Sequence, residues 1–143
     1  MPRSNKAGGR AMAVSKAYSQ YQENQLFTAT PGQLLLLTYD STIRFLKQAK
    51  EAALDGRESD RTYNILKATN LLLELSGSLN HSANEELAAT LLGLYKYMLE
   101  RLVSVEQNGD IGAIDEVERL LTSLREAWAE ADRLSRAEAA AVQ

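Results

Sequence analysis

His81 is the only histidine in this chain, and there is no cysteine. Those two facts remove most catalytic chemistry at the outset. A nucleophilic triad needs a positioned base, a structural zinc site draws on Cys and His, and a disulfide framework needs thiols. His81 falls at the C-terminal end of an expected helix, where a partly cationic imidazole suits the helix dipole. Gly8-Gly9-Arg10 has neither the Gly-Lys-Ser/Thr ending nor the preceding strand of a phosphate loop. Two acidic pairs remain, Glu85-Glu86 and Asp115-Glu116. A di-metal bundle would draw Glu-x-x-His from two helices, and no such motif occurs. Both pairs instead lie in expected first turns, where carboxylates favour the positive end of the dipole. No catalytic residue, metal or cofactor is expected.

The elements that would position any other activity follow from bulk properties and punctuation. A chain of 143 residues supports one domain around one core. At 45% hydrophobic and 24% charged it is globular rather than disordered. No apolar run exceeds Leu34–Leu37, far short of the ~20 residues that span a bilayer. With no apolar stretch after the first basic residues there is no secretory signal to read, so a cytoplasmic location is expected. The net charge of −3 conceals an asymmetry: Arg3, Lys6, Arg10 and Lys16 face no acid in residues 1–16, and the rest of the chain is strongly acidic. An acidic body repels phosphate backbones, so no nucleic-acid partner is expected, and residues 1–16 read as a disordered basic leader.

Four long helices are expected between residues 30 and 133. Thr30-Pro31-Gly32-Gln33 combines a threonine N-cap, a proline at the first helical position and a capping-box glutamine. That helix runs to about Leu54, with Gly56 able to take the left-handed conformation beyond it. A second opens near Ser59-Asp60 and reaches about Leu79. Ser82-Ala83-Asn84-Glu85 reads as another capping box, opening a third helix that ends near Asn108-Gly109. Asp110 caps the fourth, which fades after Asp132 into an alanine-rich tail, 134–143. A short extra helix is expected around Ala17–Gln25, placing the domain at 17–133.

Apolar residues step by three and four along these segments: Ile65, Ala68, Leu72, Leu75, Leu79; then Ala88, Leu91, Tyr95, Met98, Leu102, Val105; then Ile114, Val117, Leu121, Leu124, Trp128, Ala131. Such seams belong to helices packed at shallow angles, and short connections turn neighbours antiparallel. The expected fold is an all-α, up-down-up-down four-helix bundle. A bundle helix needs one stripe, yet the first helix spreads Leu34–Leu37, Tyr39, Ile43, Phe45 and Leu46 round most of its circumference. The second adds Leu66, Leu71 and Leu73 outside its seam, and the third adds Leu87, Leu92, Leu94, Tyr97 and Leu99. A wide stripe under the short N-terminal helix, a homodimer, or a groove for partner helices would each cover that surplus.

In order and spacing, the chain resembles the FliS family of flagellin export chaperones. The resemblance is carried by Tyr18-Ser-Gln-Tyr21, Thr30-Pro31-Gly-Gln-Leu34-Leu35-Leu-Leu37-Thr38-Tyr39-Asp40, Phe45-Leu46-Lys-Gln-Ala49, Glu74-Leu75-Ser-Gly-Ser78-Leu79-Asn80, Leu91-Leu-Gly-Leu94-Tyr95 and Glu116-Val117-Glu-Arg-Leu120-Leu121 through Trp128. The resemblance implies a cytoplasmic chaperone that binds the C-terminal segment of flagellin, which forms helices on binding. Premature polymerisation is thereby blocked and type III export supported, with export-apparatus components or regulators as further partners. It also implies a groove involving Leu37, Thr38, Tyr39, Asp40, Leu91 and Tyr95, with Tyr18 and Tyr21 on a segment that the client displaces. Two departures stand out: Ala83-Asn84-Glu85 replaces a usual Gly-Gly-Glu, and Thr38-Tyr39-Asp40-Ser41 replaces Leu-Tyr-Asp-Gly.

Overall fold

A computed structural model describes residues 29–79 and 84–142. The helices are α1 (Pro31–Leu54), α2 (Glu58–Gly77), α3 (Glu85–Asn108) and α4 (Ile111–Val142), and among the described residues there is no strand. The chain divides into two compact units at Leu34, inside the first turn of α1. In the first unit the Thr30 capping box forms as expected. The Gln33 amide donates to Thr30 Oγ1 at 3.2 Å, and the Thr30 amide donates to Gln33 Oε1 at 3.1 Å. The second unit, from Leu35 onward, contains the helical bundle.

The bundle core is built from the seams that the sequence spells out. Ile65, Ala68, Leu72 and Leu75 of α2 meet Leu91, Tyr95, Met98, Leu102 and Val105 of α3 and Ile114, Val117 and Leu121 of α4. Tyr39, Leu46 and Ala49 complete it from α1. Leu124 and Trp128 of α4 are half-buried against this cluster.

The helix ends show where local chemistry differs from expectation. Gly56 and Gly109 take positive φ at the ends of α1 and α3, the backbone region that favours glycine. Asp110 accepts the Ala113 amide at 3.3 Å and so caps α4. The N-cap of α3 is Asn84, whose side chain accepts the Leu87 amide at 3.0 Å; the expected cap, Ser82, lies outside the described residues. The largest difference is α4, which does not fade at Asp132 but continues to Val142 with exposed side chains. Arg133 pairs with Glu130 at 2.6 Å and Arg136 with Asp132 at 3.1 Å, i,i+3 and i,i+4 pairs that support a helix on its own surface. With no glycine or proline after Gly112, nothing stops it.

Candidate functional site

Of the positions expected to line a groove, three lie in the core. Tyr39 and Tyr95 are 0% and 1% exposed, and Leu91 is buried beside them. The Tyr39 and Tyr95 hydroxyls hydrogen-bond each other across α1 and α3. Trp128 Nε1 of α4 donates to the Tyr39 hydroxyl at 3.1 Å. Three helices are thus joined by two linked hydrogen bonds inside an apolar interior, where each bond satisfies a group that would otherwise be buried without a partner. The expectation that Tyr39 and Tyr95 stand open in a groove is replaced by this arrangement. A ring at a seam position is drawn inward, and the hydroxyl finds a partner there.

The remaining expected positions are more accessible. Asp40 is exposed and accepts from Arg125 of α4 at 2.8 Å, while Leu37 and Thr38 are half-buried. Tyr18 and Tyr21 lie outside the described residues. Further pairs along the same edge, Lys47–Glu118 at 3.7 Å and Lys50–Asp115 at 2.7 Å, tie α1 to α4. Exposed pairs of this kind are worth about 0–1 kcal/mol each, so they set register more than stability.

Burial raises the pKa of both core phenols above the ordinary value of 10.0, and Tyr95 is raised further by its hydrogen bond to Tyr39. A raised folded-state value means stability is fully present below pH ~10, the unfolded value, and is lost above it. Each phenol then costs about 1.4 kcal/mol per pH unit while the folded form stays protonated. Denaturant titrations are expected to show no tyrosine contribution below pH ~9, and above pH ~10 a decline that Tyr95→Phe makes shallower. An equally steep decline in Tyr95→Phe contradicts this assignment.

The surplus apolar residues are found outside the core. Leu66, Leu73, Leu92 and Val103 are between 42 and 55% exposed. Their placement follows from one contact: Thr62 Oγ1 of α2 donates to Glu106 of α3 at 2.8 Å. Counting by helical steps from that pair, Leu66, Thr69 and Leu73 run along α2 opposite Val103, Leu99 and Lys96 of α3, with Leu92 one turn further along the same flank. A second row starts from Tyr97 of α3, whose hydroxyl donates to Glu116 of α4. Leu94, Thr90 and Leu87 continue it along α3, beside Leu120, Ser123 and Ala127 of α4. Leu87 and Tyr97 are exposed. Val103 escaped the sequence reading, though its spacing of four from Leu99 on the same flank was available.

This arrangement offers apolar grip and no reactive group. Among the described residues no three His, Cys, Asp or Glu side chains could hold a metal, and no helix is long and apolar enough to cross a membrane.

Comparison with known proteins accords with this picture. The FliS family model, described as flagellar protein FliS, matches residues 14–135. The flagellar secretion chaperone FliS of Bacillus subtilis (strain 168) is 38% identical over 120 residues, covering 84% of this chain and 89% of that protein. The flagellar secretion chaperone FliS of Salmonella typhimurium is 33% identical, covering 79% and 85%. A crystal structure of a flagellar chaperone from bacteria superimposes with a TM-score of 0.69 over 84% of this chain and 98% of the other, at 20% identity. At that identity the likeness speaks to the fold.

Proposed function

The chain belongs to the FliS family of flagellar secretion chaperones, and from that premise we propose that it holds the C-terminal segment of flagellin in the cytoplasm until export. The observation carrying this reading is the exposed apolar surface left over once the core is complete: Leu66, Leu73, Leu92 and Val103 between α2 and α3, with Leu87 and Tyr97 on the other flank of α3. An isolated exposed leucine is ordinary, but rows at helical spacing on adjacent helices form a seat for an amphipathic helix. Covering a flagellin helix face there removes the surface through which flagellins polymerise. The gain is ~25 cal/mol per Å² of apolar area buried, offset by the ordering of a segment that is disordered when free.

The mechanism is burial, with no bond made or broken, and the protein acts as a holder rather than an enzyme. The scaffold is an up-down-up-down bundle. Its support is the cross-helix register: Asp40 and Lys50 of α1 meet Arg125 and Asp115 of α4, and Arg61 of α2 meets Glu106 of α3, early residues facing late ones each time. Tyr39, Tyr95 and Leu91 brace this scaffold from within, and Leu37, Thr38 and Asp40 form its accessible α1 side.

Calorimetric titration of the full chain with a flagellin C-terminal segment is expected to give one-to-one binding with nanomolar to micromolar Kd, and circular dichroism to show a gain in helix on mixing. If light scattering instead finds a stable homodimer that ignores the segment, the same rows serve self-association and the chaperone reading fails for this chain.

A further inference from the structure

α1 is joined to the bundle differently from the other helices. The backbones of α2 and α3 run in close approach, as do those of α3 and α4, and no comparable approach joins α1 to any of them. The seam that α3 buries holds Leu91, Tyr95, Met98, Leu102 and Val105 beside Ala88. On α1 the buried positions are Tyr39, Thr42, Leu46, Ala49 and Ala52, so only two large side chains are fully enclosed there. Leu35, Ile43 and Phe45 add half-buried area. A helix whose enclosed side chains are mostly small gives up less apolar burial on leaving than α3 would.

Charge supplies part of the difference. Asp40, Lys47 and Lys50 pair with Arg125, Glu118 and Asp115 of α4. Steps of seven and three residues along α1 are matched by steps of seven and three back along α4, so the pairs form one ladder in a single register. A slide of seven residues would set Asp40 against Glu118, or Lys47 against Arg125, and like charges would meet. The link to α2 is the exposed turn Asp55-Gly56-Arg57, with Gly56 at φ 74 and open space around it. Such a turn can absorb a hinge rotation.

We propose that α1, from Leu35 to Leu54, is a strap that opens and closes as one unit about Gly56, with the charge ladder on α4 as its latch. Opening breaks the bonds of Tyr39 to Tyr95 and Trp128 and uncovers the interior that Tyr39 and Leu46 cover. The three remaining helices keep their close backbone packing. Because the ladder is exposed and breaks in one step, ions that screen it favour the open form. The strap does not depend on the holding function given above.

Native-state hydrogen exchange on the full-length chain tests it, with acrylamide quenching of Trp128 as a second readout. The amides of α1 are expected to exchange as a block, at least about tenfold more readily than those of Leu91–Val105 in α3. Raising salt to about 1 M is expected to speed α1 exchange and Trp128 quenching several-fold together. Arg125→Glu sets a like charge against Asp40 and is expected to speed α1 exchange about tenfold, while adding Asp40→Arg restores it to within about twofold. Glu106→Ala removes α2–α3 bonds that survive in the open form, so it is expected to speed exchange in α3 several-fold and leave α1 unchanged. If α1 and α3 exchange at one rate and move in step in every variant, α1 is not a separate unit and the strap is refuted. If α1 exchanges first but is indifferent to salt and to Arg125→Glu, the ladder is not its latch.

Discussion

Replacing Tyr39 by alanine is expected to cost about 4 kcal/mol of folding free energy or more, the largest loss from any single change on α1. The side chain is fully buried in the central cluster, so truncation opens a cavity lined by residues of three helices. It also strands the Trp128 indole N–H and the Tyr95 hydroxyl, each of which loses its partner in an apolar interior at about 1–3 kcal/mol. Against a typical total of about 5–15 kcal/mol, the variant would be marginal at physiological temperature. Tyr39→Phe keeps the ring and loses only the hydroxyl, so a smaller cost of about 1–3 kcal/mol is expected. Urea unfolding of the two variants separates the contributions. A loss below about 2 kcal/mol for Tyr39→Ala would mean that the three-helix contact is not what holds α1 in place.

The second large effect lies outside the core. Changing Leu73 and Leu92 together to aspartate is expected to reduce affinity for the flagellin segment by at least about 100-fold while leaving the unfolding midpoint nearly unchanged. Both residues are exposed on facing flanks of α2 and α3, so charge there costs the free protein little. On binding, each would lose about 1.5–3 kcal/mol of leucine burial and would place a carboxylate against apolar client surface. The same substitutions applied to Tyr39 or Tyr95 would be uninterpretable, because loss of folding would be read as loss of binding. If the double aspartate variant folds and still binds tightly, the row between α2 and α3 is not the seat.

How far the sequence anticipates this protein depends on the length scale of the signal. The buried seam of α3, Ala88 through Val105, is recovered residue for residue, because burial imposes a periodicity that side-chain type records directly. The start of α1 is equally legible, since Thr30, Pro31 and Gln33 each carry a distinct local role. The end of α4 is not: a solvent-exposed helix rich in alanine and paired charges has no apolar stripe to announce it, and its stability is a sum of small local terms. The site is harder still. Tyr39 and Tyr95 on one side and Leu92 on the other share the same surplus of apolar character. Which of them points inward depends on a rotation of tens of degrees about the helix axis, fixed by packing between helices. The partnership of Asp40 with Arg125 spans 85 residues of chain, and spacing along one helix cannot reveal it.

The reach of α4 past the bundle has a consequence for how this protein reports on itself. Trp128 is the only tryptophan, and it packs against the core cluster close to the last covered turn of α4. Beyond Asp132, the turns to Val142 are exposed and open with a much smaller free energy than the core. Indole fluorescence therefore follows the bundle alone, whereas far-ultraviolet ellipticity adds the outlying turns. On heating, the two traces part company at low temperature, and the gap between them measures the fraying of one helix end rather than a partly folded species.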